Sequence, residues 1–261
     1  MKMVAAAKLR KSQEKTESTK PYVQKIHQMI GNLVSQDFER DTACLLETGG
    51  NGADLIIVMS SERGLCGSYN SLILKETREC IKKRTEKDED FYLLVIGRKG
   101  LDVLKKEYPR NILDFERDEA KSDYDFAEEL TDQTILWLES GKIGKVTVVA
   151  SVFKSILVQK TQSRTLIPFQ RSEKDKVTHM IVEPKIEILF PEILKKSFIM
   201  EIYCMMIEST TCEQAARMTA MDNATRNARE MIQRLQLVYN QTRQAHITSE
   251  LIEIISGAQA L

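Results

Sequence analysis

The chain ends in QLVYNQTRQAHITSELIEIISGAQAL (236–261), and this stretch belongs to a run from Pro191 to Ser256 with no further proline and no glycine. One helix over this run of about 66 residues would be ~100 Å long, at ~1.5 Å per residue. A compact globule of this chain length has a diameter of roughly 47 Å. The helix therefore either breaks or projects out of the domain that carries it.

The spacing of residues in this run favours projection. Small and apolar residues recur at alternating steps of four and three, which gives the 3.5-residue period of a left-handed supercoil. The predicted seam consists of Ala224, Ala228, Met231, Leu235, Val238, Thr242, Ala245, Ser249 and Ile252. Small seam residues allow two helices to approach closely but bury little area, which is worth ~25 cal/mol per Å². We therefore expect a slim rod with a further partner around it.

The opposite end of the chain supplies a pairing helix. Residues 1–36 are rich in Ala, Lys, Gln and Glu, and their apolar positions fall at three- and four-residue spacing. Pro21 interrupts this pattern, so the helix either kinks there or restarts with Thr19 as a cap. Because no other helical segment is as long, we expect the two chain ends to form an antiparallel coiled coil.

Between the two ends the apolar period changes to that of buried strands. Short β-branched runs alternate with helical stretches, which argues for a mainly parallel sheet flanked by helices. Strands are predicted at DLIIVM (54–59), FYLLVI (91–96) and KVTVVASVF (145–153), and helices at 68–86, 99–107 and 124–140. Further strand-like runs, which would extend the sheet, are 156–169, 179–184 and 186–191.

Composition argues against several classes of protein. The formal net charge is +0, so the charge balance favours neither nucleic acid nor an anionic membrane as the partner. The five cysteines have no C-x-x-C spacing, which is typical of a protein in a reducing compartment. The sequence contains no run of ~18 apolar residues, so no membrane-spanning helix is predicted.

A glycine-punctuated loop follows the first predicted strand in DLIIVMSSERGLCGSYN (54–70). A loop between a strand and a helix start suggests a phosphate site, because amides at a helix N-terminus bind anions. The glycine spacing matches neither G-x-x-x-x-G-K-[ST] nor G-x-G-x-x-G, so a tight turn capped by Ser68 is the favoured interpretation. If Cys66 were a nucleophile, its candidate bases would be His27, His179 and His246. These residues show no local signature of a triad and no metal-ligand spacing, so we predict no catalytic, cofactor or metal site.

Three blocks of the sequence resemble one known family. They are MKMVAAAKLRKSQ (1–13), SSERGLCGSYN (60–70) and EQAARMTAMDNATRNA (213–228), the last followed by LQLVYNQTRQAHITSELIEIISGAQAL (235–261). In this order the blocks are similar to the γ subunit of the F-type ATP synthase. The resemblance implies an α/β fold in which an antiparallel coiled coil of the N- and C-terminal helices carries an inserted Rossmann-like α/β domain. The expected parts are an N-terminal coiled-coil helix at 1–48, an α/β foot domain at 49–185 and a C-terminal coiled-coil helix at 186–261.

Membership of that family implies a central rotor shaft. The coil would stand inside the hexamer of α and β subunits, with the α/β domain at the foot beside the ε subunit and the membrane c-ring. Proton flow would turn the c-ring and the shaft, which would drive the β-subunit catalytic sites through open and closed states. The chain itself would be non-catalytic and without a cofactor, with no nucleic-acid partner and no direct membrane insertion. It would be peripheral at the cytoplasmic face of the bacterial plasma membrane, or at the matrix side of the mitochondrial inner membrane as the alternative.

The resemblance also implies which residues contact partners. The implied contacts are Arg217, Arg243, Gln244, Thr248 and Glu250 with stator loops, Met1 and Lys2 beside an acidic loop of β, and Glu183 with the c-ring or ε. The chain departs from the family pattern in three respects. It begins about twenty residues later than the family usually does, so we expect the C-terminal tip of the coil to lack its pairing strand. Glu62 stands where Asp is typical, and Lys185 replaces a common acidic residue of the foot loop.

Two other functions fit parts of the sequence. A Rossmann-like nucleotide-binding enzyme with a dimerising helical tail would bind a nucleotide saturably, which calorimetry on the isolated chain measures. A coiled-coil scaffold would tolerate deletion of residues 53–185. The three ordered blocks favour the rotor shaft over both alternatives.

Overall fold

The computed structural model describes residues 1–35, 50–115, 122–169, 183 and 186–259. Two long helices come from the chain ends: α1 spans Lys2–Ser35 and α5 spans Ile186–Gln259. The elements described between them are β1 Ala53–Met59, α2 Tyr69–Thr85, β2 Phe91–Ile96, α3 Arg98–Glu107, α4 Asp123–Glu139, β3 Ile143–Phe153 and β4 Gln159–Ile167. The predicted α/β fold, with an antiparallel coiled coil of the terminal helices and an inserted α/β domain, is confirmed.

The four strands form one sheet in the order β2-β1-β3-β4. β1 runs parallel to both neighbours, and its Ile56 pairs with Leu93 of β2 and with Thr147 of β3. β4 runs antiparallel to β3, with Val149 opposite Ser163. Parallel neighbours need crossover connections, which the intervening helices supply, whereas β3 and β4 are joined by a short turn. The predicted mainly parallel sheet is therefore confirmed, with an antiparallel strand at one edge.

Both faces of the sheet are buried, as the continuous apolar runs of its strands predict. Successive residues of β1 point to opposite faces, so Leu55 and Ile57 join the cluster under α1, α4 and α5. Ile56 and Val58 join the cluster under α2 and α3. All four side chains are fully buried. The sheet is therefore held between two helical layers, and α5 belongs to one of them.

The prediction of a strand at 186–191 is wrong, because this run forms the first turns of α5. Phe190, Leu194 and Phe198 are buried at steps of four residues, so the run continues a helical stripe rather than a strand. A six-residue apolar run has the same appearance in a buried helix and in a buried strand, and only its continuation distinguishes them.

Of the other two predicted strand-like runs, the structure describes only the first, and its strand is shorter than predicted. Within 156–169 the strand is β4, and residues 156–158 precede it in the turn after β3. The run 179–184 lies outside the described residues apart from Glu183. The antiparallel edge of the described sheet therefore consists of β4.

Helix α1 continues through Pro21, so the predicted restart with Thr19 as a cap is wrong. The hydroxyl groups of Ser18 and Thr19 both donate to the backbone carbonyl of Lys15, at 2.8 Å each. Thr19 is therefore an interior helix residue rather than a cap. Among the described residues, no helix is both long and apolar enough to span a membrane.

A buried ion pair ties α2 to the beginning of β1. The Arg84 Nε donates to the Asp54 carboxylate at 2.5 Å, and one Arg84 Nη donates to the Thr147 hydroxyl at 3.0 Å. The Thr147 hydroxyl in turn donates to Asp54 at 3.2 Å. Burial raises the pKa of Asp54, and the Arg84 charge opposes that rise. The pair therefore depends on Arg84 to keep a buried carboxylate charged.

Candidate functional site

The two terminal helices pack side by side in opposite directions. Lys20 Nζ lies 2.9 Å from the Glu208 carboxylate, and the Thr16 and Thr211 hydroxyls are 3.3 Å apart. Lys2, at the start of α1, forms an ion pair with Asp222. Because partner numbers on α5 rise as numbers on α1 fall, the arrangement is antiparallel and extends to Asp222.

The paired surface contains small residues and satisfied hydroxyl groups. Ala5 and Leu9 of α1 are buried against α5. The Thr16 hydroxyl donates to the Ser12 carbonyl at 2.9 Å, and the Thr211 hydroxyl donates to the Ile207 carbonyl at the same distance. Buried threonines that bond to their own helix need no partner across the interface. The pair can therefore be slim without leaving polar groups unpaired.

The nine predicted seam residues do not pack against α1, and this part of the prediction needs correction. All of them follow Asp222 on α5, and all are exposed. The first residue of α1 is Lys2, which lies opposite Asp222, so no part of α1 reaches the seam. The observed pairing uses α5 residues before 223. In this part of α5, buried side chains also fix the orientation of the helix.

The crevice at the carboxyl ends of β1 and β3 is filled by α5. In open α/β sheets this is the place where ligands bind, because the strand order reverses there. Here the Ser209 hydroxyl donates to the carbonyl of Met59, the last residue of β1, at 3.5 Å. The Cys212 thiol donates to the Ser151 carbonyl of β3 at 3.4 Å. Side chains of α5 therefore occupy the position that a nucleotide would take.

Tyr69, the first residue of α2, closes the same crevice. Its hydroxyl donates to the Ser209 carbonyl at 3.2 Å and shares a 2.6 Å hydrogen bond with the Ser209 hydroxyl. The ring is 4% exposed, and burial raises the pKa of the Tyr69 phenol far above its usual range. The residue therefore acts as a neutral anchor between the α/β domain and α5.

The loop after β1, residues 60–68, is named the collar loop here because it lies against α5 where the helix leaves the domain. Asn70 accepts from the Ser61 amide at 3.1 Å, and its side-chain amide donates to the Cys66 sulfur at 3.3 Å. Gly67 has φ of +59°, and a Cβ built on it would lie 3.7 Å from the Ala220 Cβ. The side chain of Ser68 makes no capping hydrogen bond, so the predicted Ser68 cap is wrong.

Arg217 joins the collar loop to α5. One of its Nη atoms donates to the Arg63 carbonyl at 3.0 Å and to the Gly64 carbonyl at 3.4 Å, and the same atom lies 2.5 Å from the Glu213 carboxylate. Only 14% of the Arg217 side chain is exposed. Burial raises the pKa of Glu213, and the Arg217 hydrogen bond and charge oppose the rise. Arg217 is thus committed to contacts within the chain, and its predicted contact with a partner stays a prediction.

The part of α5 beyond this attachment is exposed on all sides. Residues 223–258, named the projecting segment here, are without exception solvent-exposed. At ~1.5 Å per residue this segment extends ~54 Å. Its exposed large apolar residues include Met231, Leu235, Val238, Tyr239, Leu251 and Ile252. Apolar surface on this scale is unusual for a monomer and marks an interaction surface.

Most of the predicted contact residues lie on exposed surface. Arg243, Gln244, Thr248 and Glu250 occupy neighbouring turns of the projecting segment, and Met1 and Lys2 lie at the start of α1. The Thr248 hydroxyl donates to the Gln244 carbonyl at 2.8 Å. Glu183 is exposed three residues before α5. Ile186, where α5 begins, lies ~85 Å along the helix axis from Arg243, so Glu183 and the contacts of the projecting segment are near opposite ends of α5.

The candidate catalytic groups that the structure describes are not brought together. Cys66 is buried beside Ser61 and Asn70. His27 lies on α1 against Glu201 and the Phe169 ring, His246 is exposed on the projecting segment, and His179 is outside the described residues. In the described part of the chain, no group of three His, Cys, Asp or Glu side chains could hold a metal ion.

Sequence reasoning missed the residues that hold α5 at its exit from the domain. These residues are Tyr69, Ser209 and Asp222, which bind across elements distant in sequence, and Glu213, which binds Arg217 on the same helix. One signal was present for Glu213, because a carboxylate four residues before an arginine on a helix forms an i,i+4 pair.

Comparisons with known proteins agree with this geometry. A family model described as ATP synthase matches residues 1–261. An "ATP synthase gamma chain" from Rhodospirillum rubrum is 38% identical, over 100% of this chain and 92% of that protein. One from Pelagibacter ubique is also 38% identical, with the same coverage.

Solved structures show the same likeness. A central-stalk chain of the Tetrahymena thermophila mitochondrial ATP synthase aligns with a TM-score of 0.62 and 25% identity, over 86% of this chain and 97% of that one. A chain of the Euglena gracilis mitochondrial ATP synthase aligns with a TM-score of 0.59 over 98% of this chain and 95% of that one. At 17% identity, the Euglena match shows a shared fold.

Proposed function

The chain belongs to the ATP synthase γ-chain family, and on this premise we propose that it is the rotating central shaft of an F-type ATP synthase. The shaft couples proton flow through the membrane c-ring to ATP synthesis or hydrolysis at the catalytic sites of the β subunits. One observation carries the proposal. The 74-residue helix α5 is held at its base by α1 and by the sheet, while residues 223–258 project with their whole circumference exposed.

The projecting segment takes the place inside the hexamer of α and β subunits. A turning rod must not interlock deeply with any one stator subunit, and small residues such as Ala228, Ala245 and Ser249 give it a smooth profile. Arg243, Gln244, Thr248 and Glu250 bond stator loops from this rod, and Met1 and Lys2 contribute contacts nearer its base. The exposure of these side chains supports the assignment.

The α/β domain takes the place at the foot, where the ε subunit and the c-ring are its partners. Glu183 contributes to that contact, and its exposed position next to the start of α5 supports the assignment. The division into residues 1–48, 49–185 and 186–261 is part of this proposal, and the start of α5 at Ile186 supports its second boundary.

The chain acts without catalysing a reaction. Side chains of α5 contact the carboxyl ends of β1 and β3, where a Rossmann-like enzyme would bind its nucleotide, which supports a chain without such a site. In this proposal the bond-making chemistry belongs to the β subunits. The protein is peripheral at the cytoplasmic face of a bacterial plasma membrane, which the bacterial sources of the similar γ chains support, with the mitochondrial matrix side as the alternative.

Co-expression with α and β subunits of a similar bacterial enzyme tests the proposal. The expected product is an active ATPase that contains one copy of this chain. The paired substitution Arg243→Ala with Gln244→Ala should lower the rate of ATP hydrolysis without preventing assembly, whereas Lys87→Ala on the α/β domain should leave it unchanged. A chain that never enters the hexamer would refute the proposal, and saturable nucleotide binding by the isolated chain would favour the enzyme alternative.

A further inference from the structure

The attachment of α5 to the α/β domain ends close to Arg217. Below this point the helix packs against β3 and α4, and Ser209 binds both Tyr69 and the end of β1. Above it, Ala220 faces Gly67 and Lys2 pairs with Asp222, after which the helix is bare. Any twist that passes between the domain and the projecting segment must cross this short stretch.

Within this stretch, the guanidinium of Arg217 donates hydrogen bonds from more than one of its nitrogen atoms. Its guanidinium donates to the Gly64 carbonyl from both Nε and Nη, each at 3.4 Å, and to the Arg63 carbonyl at 3.0 Å. Glu213, one turn earlier on α5, accepts a hydrogen bond from the same Nη atom that binds the two carbonyls. A planar fork with several fixed donors restricts orientation more than a single ammonium group can.

We propose that Arg217 is a positioning residue that fixes the collar loop to α5, so that rotation of the α/β domain is transmitted directly to the projecting segment. Arg217, Glu213 and the Arg63 and Gly64 carbonyls are called the Arg217 clamp below. This role rests on the proposed rotary function, and it differs from the predicted contact of Arg217 with a stator loop. In the clamp, the bonds of Arg217 stay within the chain.

The size of the effect follows from the free length of the helix. With the clamp closed, ~39 Å of α5 separates Arg217 from Arg243, at ~1.5 Å per residue. With the clamp open, the last firm attachment is Cys212, whose thiol donates to the Ser151 carbonyl of β3, and the free length becomes ~47 Å. A uniform rod twists in proportion to its free length, so the variance of its thermal twist should rise about 1.2-fold.

Rotational fluctuation of the assembled complex measures this variance. The hexamer is fixed to a surface through its β subunits, and a bead is attached to the α/β domain through Lys87→Cys. In the absence of ATP the variance of the bead's angle should be about 1.2-fold larger in Arg217→Ala than in the parent chain. Arg78→Ala is the matched control, because it removes a two-bond arginine–glutamate pair within the domain.

A disulfide across the clamp separates the two roles of Arg217. The distance of 3.7 Å between a Cβ on Gly67 and the Ala220 Cβ lies within the range found in disulfides. In Arg217→Ala, the additional pair Gly67→Cys and Ala220→Cys should restore the parent variance when oxidised and lose it again when reduced. The reduced form is the control for the substitutions themselves. Failure of the oxidised bridge to restore the variance would overturn the clamp in favour of a stator contact.

Hydrogen exchange in the isolated full chain tests the clamp independently of the hexamer. The Ser61 amide donates to the Asn70 side chain, and the Tyr69 amide donates to the Cys66 carbonyl of the collar loop. Their exchange should become about tenfold faster in Arg217→Ala, because a bond from a charged donor shifts a local opening equilibrium by about that factor. Unchanged exchange would overturn the proposal. If the parent chain fails to assemble with α and β while its exchange responds as expected, the rotary function fails and the clamp stands.

Discussion

Replacement of Arg84 by methionine should destabilise the fold by an amount that depends on pH. The variant removes the partner of a buried carboxylate, since only 3% of the Asp54 side chain is exposed and 10% of Arg84. Methionine keeps most of the aliphatic volume of arginine, so packing changes little. An unpaired buried charge of this kind costs about 3–5 kcal/mol.

The pH dependence follows from the pKa of Asp54. Burial already raises this pKa above that of the unfolded chain, so the folded state binds more protons than the unfolded state between the two values. Stability therefore falls as pH rises through that window. Without Arg84, which opposes the rise, the folded pKa moves higher and the window widens. The cost of the variant should be largest near pH 8 and smaller near pH 5, where the carboxyl group takes up a proton.

Urea unfolding at about pH 5 and pH 8, followed by the fluorescence of the single tryptophan Trp137, measures this difference. Arg78→Met is the control, because its partly exposed pair with Glu107 is worth about 0–1 kcal/mol. The double variant Arg84→Met with Asp54→Asn should lose less stability than Arg84→Met, since it leaves no carboxylate unpaired. An equal cost at both pH values, or a cost no larger than that of the control, would refute the reasoning.

Three further predictions concern the base of the coil. Tyr69→Phe should lower the free energy of unfolding by about 1–2 kcal/mol, because it leaves buried hydrogen-bonding groups unpaired, while the exposed Tyr22→Phe should stay within about 0.5 kcal/mol. Cys212 should resist iodoacetamide in the native chain, since burial raises the pKa of its thiol to about 12, and mass spectrometry before and after denaturation checks this. Arg217→Ala should make the melting temperature fall more steeply from about pH 5 to pH 8, because the pKa of Glu213 rises further once the Arg217 hydrogen bond and charge are lost; an unchanged slope would contradict this.

The central sheet was predictable because its signals are local. β1, β2 and β3 are short β-branched runs bounded by polar residues, and the helices between them follow a 3.6-residue period. The edge of the sheet was less predictable. The run at 186–191 has the apolar pattern of a strand, although Phe190 and Leu194 continue a helical stripe. The distinction depends on packing against the core, which a short window does not contain.

The partner of the coiled coil was only partly predictable. The seam from Ala224 to Ile252 correctly indicated a helix that projects, but α1 pairs with the part of α5 before residue 223. A 3.5-residue period shows that a helix packs against something, and it does not identify the neighbour. The ion pairs of Lys2 and Lys20 with α5 decide the register, and these contacts bridge about 190 to 220 positions of sequence.

The long terminal helix, the strand order along the chain and the absence of a nucleotide motif follow from the sequence, because helix length, apolar period and glycine spacing are properties of neighbouring residues. The environment of Arg217 follows only from the folded chain. The carbonyls that it binds lie 153 and 154 positions earlier in the sequence. They lie beside Arg217 because the collar loop follows β1, and α5 crosses the end of that strand. Contacts of this kind arise when separate elements pack on a common core, and no local pattern of residues encodes them.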